Sequence, residues 1–243
     1  MRFAASRSPA ICATSAFATK VALLRERLVG NSNATDQRRE IANRWKIWRT
    51  EKERRRADGR GVNSASVFAA LGEHAPDDAI LPVDVGNNTY SFGRYFECTR
   101  QAVLMSGYLG SIGFSLPAAM GAWVATQEDD PRLHGRKVIS VSGDGGFGQY
   151  MGELLTMVKY GMNITHVLVQ NDQLGKITKE QRAGDWEVWE TSLHNPRFAD
   201  YAELCGAKGF LVEKPDDLGG AISQAIAHPG PSLVEIIADP ELI

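Results

Sequence analysis

Two hydrophobic rhythms divide the chain. In the first, Ile41, Trp45 and Trp48 stand at i, i+4 and i+7 among arginines, lysines and glutamates, which puts one narrow apolar stripe on a helix. Thr35 or Asp36 can cap that helix, which runs to about Ala57 and is stopped by Gly59 and Gly61. From Gly61 onward, short apolar runs alternate with helical stretches. Asn63 or Ser64 opens a helix that turns Val67, Phe68 and Leu71 inward and ends at Pro76. A strand at Ala79–Val85 follows, then a glycine-rich loop and a helix from about Phe114 to Thr126, with Pro117 tolerable in its first turn. The remainder reads as a strand at Lys137–Ser142, a helix at Tyr150–Tyr160, a strand at Ile164–Gln170 and a helix at Phe198–Cys205. A strand at Phe210–Val212, a helix at Asp216–Ala227 and a strand at Ser232–Ile237 close it. Runs such as Val138-Ile139-Ser140-Val141 and Leu233-Val234-Glu235-Ile236-Ile237 suit strands buried on both sides. The alternation therefore predicts an α/β fold, a doubly wound parallel sheet with helices on both faces.

Composition refines this picture. A chain of 243 residues, 43% hydrophobic, has material for one ordinary core. Its net charge of −2 argues against a nucleic-acid partner, yet the charge is unevenly placed. Up to Arg60 there are 15 basic and 6 acidic residues, a balance of +9; beyond it 12 and 23 give −11. The positive half is the amphipathic helix, where Glu40, Glu51 and Glu53 interleave with arginines at pairing distance, so a solvated linker explains it better than a nucleic-acid surface. Three spans follow: a poorly defined segment over 1–34, a basic linker helix over 35–60 and an α/β domain over 61–243. Cys12, Cys98 and Cys205 form no C-x-x-C, so neither a disulfide framework nor a zinc site is written, and a reducing, cytoplasmic setting is expected. Ala16-Phe17-Ala18 resembles a leader cleavage site, but Pro9, Thr14 and Ser15 break its apolar stretch. No apolar run reaches the roughly 18 residues that span a bilayer.

Ligands of such sheets sit beyond the carboxyl ends of strands. There the chain reads Ser142-Gly143-Asp144-Gly145-Gly146-Phe147-Gly148. Gly143, Gly145 and Gly148 satisfy G-x-G-x-x-G, and Asp172 lies where a ribose-binding acid would, so a nicotinamide dehydrogenase is one reading. Asp144 weighs against it, because a carboxylate inside the phosphate cradle repels a bare pyrophosphate unless a divalent cation lies between them. Asn171, 27 residues on and at the mouth of the next strand, adds a neutral amide oxygen. One Asp, one Asn, a loop carbonyl, water and phosphate oxygens make a magnesium site. Gly145 and Gly146 offer N–H groups at a helix N-terminus, and Gly175 and Lys176 further donors. His74, His134, His166, His194 and His228 show no ligand spacing, and Gly113-Phe114-Ser115-Leu116-Pro117 misses the G-x-S-x-G elbow at its last position.

The run from Gly143-Asp144-Gly145-Gly146-Phe147 through Glu153-Leu154 to Asn171 resembles the thiamine diphosphate signature of the acetolactate synthase, pyruvate oxidase and benzoylformate decarboxylase superfamily. Residues Ser106 to Ala119 resemble the loop between that family's two cofactor motifs, and the overall likeness is greatest to the acetolactate synthase and pyruvate oxidase type. The similarity extends from Gly61 to the end, and Ile41–Arg56 is similar to the family's linker out of its middle domain. The resemblance implies that 61–243 is a thiamine diphosphate-binding domain in which Asp144, Asn171 and the carbonyl of Gln173 hold Mg2+. It implies diphosphate contacts from the Gly143 loop, Gly145, Gly146, Gly175 and Lys176, mostly through backbone. Gly86-Asn87-Asn88 matches another diphosphate-side loop, where many relatives carry Gln-His. Gly110 matches the carbonyl that accepts from the aminopyrimidine amine, and Ile112 the bulky residue that keeps the cofactor bent.

In that family the aminopyrimidine removes the thiazolium proton, the ring attacks a 2-oxo acid, and the ring holds the electrons left by carbon dioxide. The activating glutamate belongs to an N-terminal pyrimidine domain, usually of the neighbouring subunit, and no residue here matches it. The expectation is thus the thiamine diphosphate and Mg domain of a 2-oxo acid decarboxylating enzyme, in a homo-oligomer. It would be a shortened chain, completed by a pyrimidine-binding domain from another chain or a missing N-terminal part. Alternatives are one subunit of a split enzyme and an inert binding protein.

Overall fold

A computed structural model describes residues 21–27, 35–56 and 61–239. The leader-like stretch around Ala16-Phe17-Ala18, Cys12 and the helix stop at Gly59 lie outside the described residues. Residues 21–27 are helical, and helix α1 spans Arg38–Arg56. The chain divides into two units within α1, between Trp48 and Arg49. In the first unit, Arg44 pairs with Glu40 at 2.8 Å, and the Trp45 and Trp48 rings meet edge to face at 5.3 Å. In the second, Arg54 and Arg55 pair with Glu51, and Arg56 with Glu53, as the i,i+3 and i,i+4 spacing predicts. Arg49 and Lys52 both reach Glu97.

The α/β part of the second unit begins with α2 (Ser64–His74), capped by Asn63, whose side chain accepts from the Ser66 N–H at 2.9 Å. Then come β1 (Ile80–Val83), α3 (Asn87–Tyr95), β2 (Ala102–Met105), α4 (Ser115–Thr126), β3 (Val138–Gly143), α5 (Asp144–Tyr150) and α6 (Glu153–Lys159). They are followed by β4 (Ile164–Gln170), α7 (Gly175–Ala183), α8 (Phe198–Cys205), β5 (Lys208–Val212), α9 (Leu218–Ala227) and β6 (Ser232–Ile237). All pairings are parallel, in the order β2-β1-β3-β4-β6-β5.

Successive side chains of a strand face opposite sides, and the core splits accordingly. Leu81, Val83, Ile139, Val141, Val167, Val234 and Ile236 face one way, onto Phe68 and Leu71 of α2, Phe92 of α3 and Ile222 of α9. Val138, Ile164, Leu168 and Leu233 face the other, onto Leu116 of α4, Leu154 and Met157 of α6 and Phe198 of α8. Helices cover both faces, as the sequence predicts for a doubly wound parallel sheet.

Three elements escape the sequence reading. Strand β2 is a four-residue edge strand, half exposed and without alternation. Helix α3, NNTYSFGRY, is poor in helix-forming residues. It is held by Phe92, which stacks on Phe96 at 4.6 Å and meets Phe68 edge to face. Helix α7 buries only Thr178, so its apolar period is faint. The glycine-rich run after β3 is also helical from Asp144, because buried Phe147 anchors it against His166 and Phe198. The expected helix at Tyr150–Tyr160 is a second one, starting at Glu153.

Candidate functional site

The strand order reverses between β1 and β3, the place where ligands of open α/β sheets bind. At the carboxyl end of β1, Asp84 is 1% exposed. Its carboxylate accepts from the N–H groups of Val85 (2.7 Å), Gly113 (2.9 Å) and Phe114 (3.3 Å) and from the Ser115 hydroxyl (3.2 Å). One buried side chain thus ties β1 to the loop after β2 and to the start of α4. Burial raises its pKa against those hydrogen bonds. Gly113 has φ +85°, and a Cβ there would lie 2.6 Å from the Tyr150 ring, so glycine is required on both counts.

Asp144 opens α5 at the end of β3 and is 3% exposed. Its Oδ2 accepts from the N–H of Asn171 (3.2 Å), the N–H of Asp172 (2.7 Å) and the Asn195 amide (2.9 Å), whereas Oδ1 accepts from Gly145 N–H alone (3.0 Å). Burial raises its pKa, opposed chiefly by the Asn171 and Asp172 amides. Asp172 itself stands in the left-handed region, with φ +55°. The Gln173 carbonyl accepts from Gly175 N–H at 2.9 Å and keeps a second lone pair.

Between these loops lies a cleft of about 330 Å³. Every residue matched to a thiamine diphosphate or Mg2+ contact lines it: Gly86, Asn87, Asn88, Gly110, Ile112, Gly143, Asp144, Gly145, Gly146, Asn171, Gln173, Gly175 and Lys176; Gly148 and Asp172, marked for a dinucleotide, do not. Val85, Val169, Leu174 and Ile177, which the sequence did not mark, complete the lining. Ile112 faces the cleft rather than the core. The wall is tight at its glycines: a Cβ at Gly175 would meet the amide nitrogens of Asn87 (2.7 Å) and Asn171 (3.0 Å), and one at Gly146 would meet Asp84 Oδ2 (2.6 Å). The two asparagines after β1 differ. Asn88 donates its amide to the Asp84 carbonyl at 2.7 Å, while the buried Asn87 Nδ2 has no hydrogen-bond partner. Lys176 pairs with Glu180 and stands 5.3 Å over the Tyr90 ring at the start of α7.

Asp84 and Asn195 are the polar residues that sequence reasoning missed. Asp84 carried a readable signal, an acid closing a buried strand just as Asp144 does. Asn195 stands 51 residues beyond Asp144, with nothing local to mark it. Among the described residues, no group of three His, Cys, Asp or Glu side chains is disposed to hold a metal, and no helix is long and apolar enough to cross a membrane.

A family model for the C-terminal TPP-binding domain of thiamine pyrophosphate enzymes matches residues 84–236. Over 172 residues the chain is 38% identical to the thiamine pyrophosphate-containing protein YdaP of Bacillus subtilis, covering 70% of this chain and 29% of that protein. It is 31% identical over 174 residues to the catabolic acetolactate synthase of Raoultella terrigena, covering 71% and 30%. Among solved structures, the thiamine diphosphate-dependent 4-hydroxybenzoylformate decarboxylase of Rhodococcus jostii RHA1 superposes with a TM-score of 0.67 at 25% identity, over 75% of this chain and 34% of that one. The chain thus spans about three tenths of the length of these curated relatives.

Proposed function

The chain belongs to the thiamine pyrophosphate enzymes, as the C-terminal cofactor-binding domain of acetolactate synthase-like members, and from that premise we propose that its cleft holds the diphosphate of thiamine diphosphate through Mg2+. Asp144, Asn171 and the carbonyl of Gln173 would hold the cation. The observation that carries this reading is Asp144 itself, a buried carboxylate in a glycine-walled cleft whose Oδ2 is engaged by three donors and whose Oδ1 by one. The residues present fit the group. Asn87 Nδ2 is a buried donor without an acceptor, which a phosphate oxygen would supply. A side chain at Gly175 would press on the amides of Asn87 and Asn171, and a helix N-terminus at Gly175 favours an anion.

Bound thiamine diphosphate supplies the carbanion-stabilising ring that a 2-oxo acid decarboxylation needs. The chain's own residues orient it. Asp84 fixes the loop that carries Gly110 and Ile112 by accepting from Gly113, Phe114 and Ser115, so that loop holds Gly110 and Ile112 in the cleft wall. Val85, Val169, Leu174 and Ile177 give the cleft apolar wall and limit water there. A pyrimidine-binding domain, on another chain or another part of the same protein, would complete the enzyme by supplying the activating glutamate, within a homo-oligomer.

Calorimetric titration tests the reading. Thiamine diphosphate should bind only with Mg2+ present, and Asp144→Ala should abolish that coupling. Tight NADH binding, or Mg2+-independent uptake of thiamine diphosphate, would refute it.

A further inference from the structure

We propose that Asn195 is a positioning residue for the cation, holding Asp144 in the orientation that leaves Oδ1 open. The proposal rests on the reading of Asp144 as a cation ligand.

The Asn195 amide nitrogen donates at once to Asp144 Oδ2 (2.9 Å) and to Asp172 Oδ1 (2.8 Å), bridging two carboxylates. Asp172 Oδ1 is held from the other side by Gln170 Nε2 at 2.9 Å. The segment that delivers Asn195 is laced to the loop that delivers the ligands. Leu193 N–H donates to the Asp172 carbonyl at 2.8 Å, Leu174 N–H to the Thr191 carbonyl at 2.7 Å, and the Thr178 hydroxyl to the Thr191 hydroxyl at 2.9 Å. Gln173 and Ser192 form an antiparallel bridge between them. Residues 191–195 therefore run as a short strap along 172–174, ending with the amide on Asp144.

Two consequences follow from elementary electrostatics. A carboxylate gripped through one oxygen by three donors cannot turn that oxygen elsewhere, so its other oxygen is the one left for a ligand. A single amide between two carboxylates also offsets part of their mutual repulsion, here between the buried Asp144 and the exposed Asp172. Groups that orient metal ligands in this way change metal affinity by about 10–100-fold when removed.

The test is calorimetric titration of Mg2+ into the full chain with saturating thiamine diphosphate, beside the melting temperature of the same proteins without cation or cofactor. Asn195→Ala should weaken Mg2+ by about 10–100-fold while its cofactor-free melting stays close to wild type. Asn195→Leu has nearly the same shape but no donor and no added charge, and should weaken Mg2+ as much. Wild-type Mg2+ affinity in Asn195→Leu would mean that the side chain only fills space, and would overturn the proposal. So would wild-type affinity in Asn195→Ala. If the wild type takes up no Mg2+, or Asp144→Ala still does, the cation reading fails and this inference falls with it. If Asp144→Ala loses Mg2+ while both Asn195 variants keep it, only this inference falls.

Discussion

Gly145 and Gly146 are neighbours in one helix with ordinary backbone angles, yet the structure assigns opposite outcomes to Gly145→Ala and Gly146→Ala. Each gains about 1 kcal/mol of helix propensity. At Gly145 the new methyl would lie 2.7 Å from Leu174 Cδ2, the far end of a flexible side chain. A rotamer adjustment of about 0.5–1.5 kcal/mol relieves it, so Gly145→Ala should be within about 1 kcal/mol of wild type. At Gly146 the methyl would lie 2.6 Å from Asp84 Oδ2, 3.0 Å from its Cγ and 3.2 Å from the Gly113 nitrogen. Asp84 cannot move without loosening its bonds to Gly113 and Ser115. Overpacking costs about 1–3 kcal/mol, and one weakened hydrogen bond to a charged group about 1.5–3 kcal/mol. Set against the propensity gain, Gly146→Ala should lose about 2–4 kcal/mol. For a domain of this size that is roughly 6–12 °C in melting temperature. Urea unfolding of the two variants without cofactor measures the difference. Equal stabilities within about 0.5 kcal/mol, the usual additivity error, would show that Asp84 is not locked by the loop after β2.

Two further predictions concern buried titratable groups away from the cleft. His166 on β4 is fully buried, bonded through Nε2 to the Ser142 hydroxyl at 2.9 Å, and burial pushes its pKa down to about 3. Its unfolded value is about 6.5, so its contribution to stability is complete above pH about 6.5 and shrinks as pH falls toward 3. Urea unfolding should lose about 2 kcal/mol from this group between pH 6.5 and pH 5. A His166→Gln variant should lack that slope, and an unchanged slope would remove His166 as its source. Glu235, 1% exposed on β6, accepts from the Ala199 N–H at 2.7 Å, and burial raises its pKa. Glu235→Gln keeps an acceptor without a buried charge and should stay within about 1 kcal/mol of wild type at pH 7. Glu235→Ala strands the amide and leaves a void, and should lose about 2–4 kcal/mol by the same assay.

How far the sequence reaches depends on whether a residue's role is local. Ile164–Gln170, Ser232–Ile237 and Phe198–Cys205 are read residue for residue, because a strand buried on both faces, or a helix with Phe198, Ala199 and Ala202 inward, writes its burial into its own composition. Helix α3 is invisible for the opposite reason: its cause is Phe68, far upstream, and no property of its Asn, Thr, Ser and Gly residues. The cleft repeats the division. Its glycines, Asp144 and Asn171 are legible because each closes a strand or opens a helix at a fixed spacing. Asn195 reaches Asp144 only through a strap whose pairing with 172–174 is a tertiary fact.

Two aspartates close the two strands at the switch point, and sequence position alone cannot say which of them serves a ligand. Hydrogen bonding separates them. Both oxygens of Asp84 are committed to its own neighbour, to the loop after β2 and to the start of α4: Oδ1 to Val85, Gly113 and Phe114, Oδ2 to Ser115 and a second approach from Gly113. Nothing is left over, and Asp84 does not line the cleft. Asp144 concentrates three donors on Oδ2 and leaves Oδ1 with the neighbouring Gly145 amide alone. A buried carboxylate keeps an oxygen so lightly engaged only at an energetic cost, and that cost has a use where a cation comes to share it. The same strand-end chemistry thus yields a structural clamp at β1 and, on the proposed reading, a cation ligand at β3, and the distinction lies in where each oxygen's donors come from.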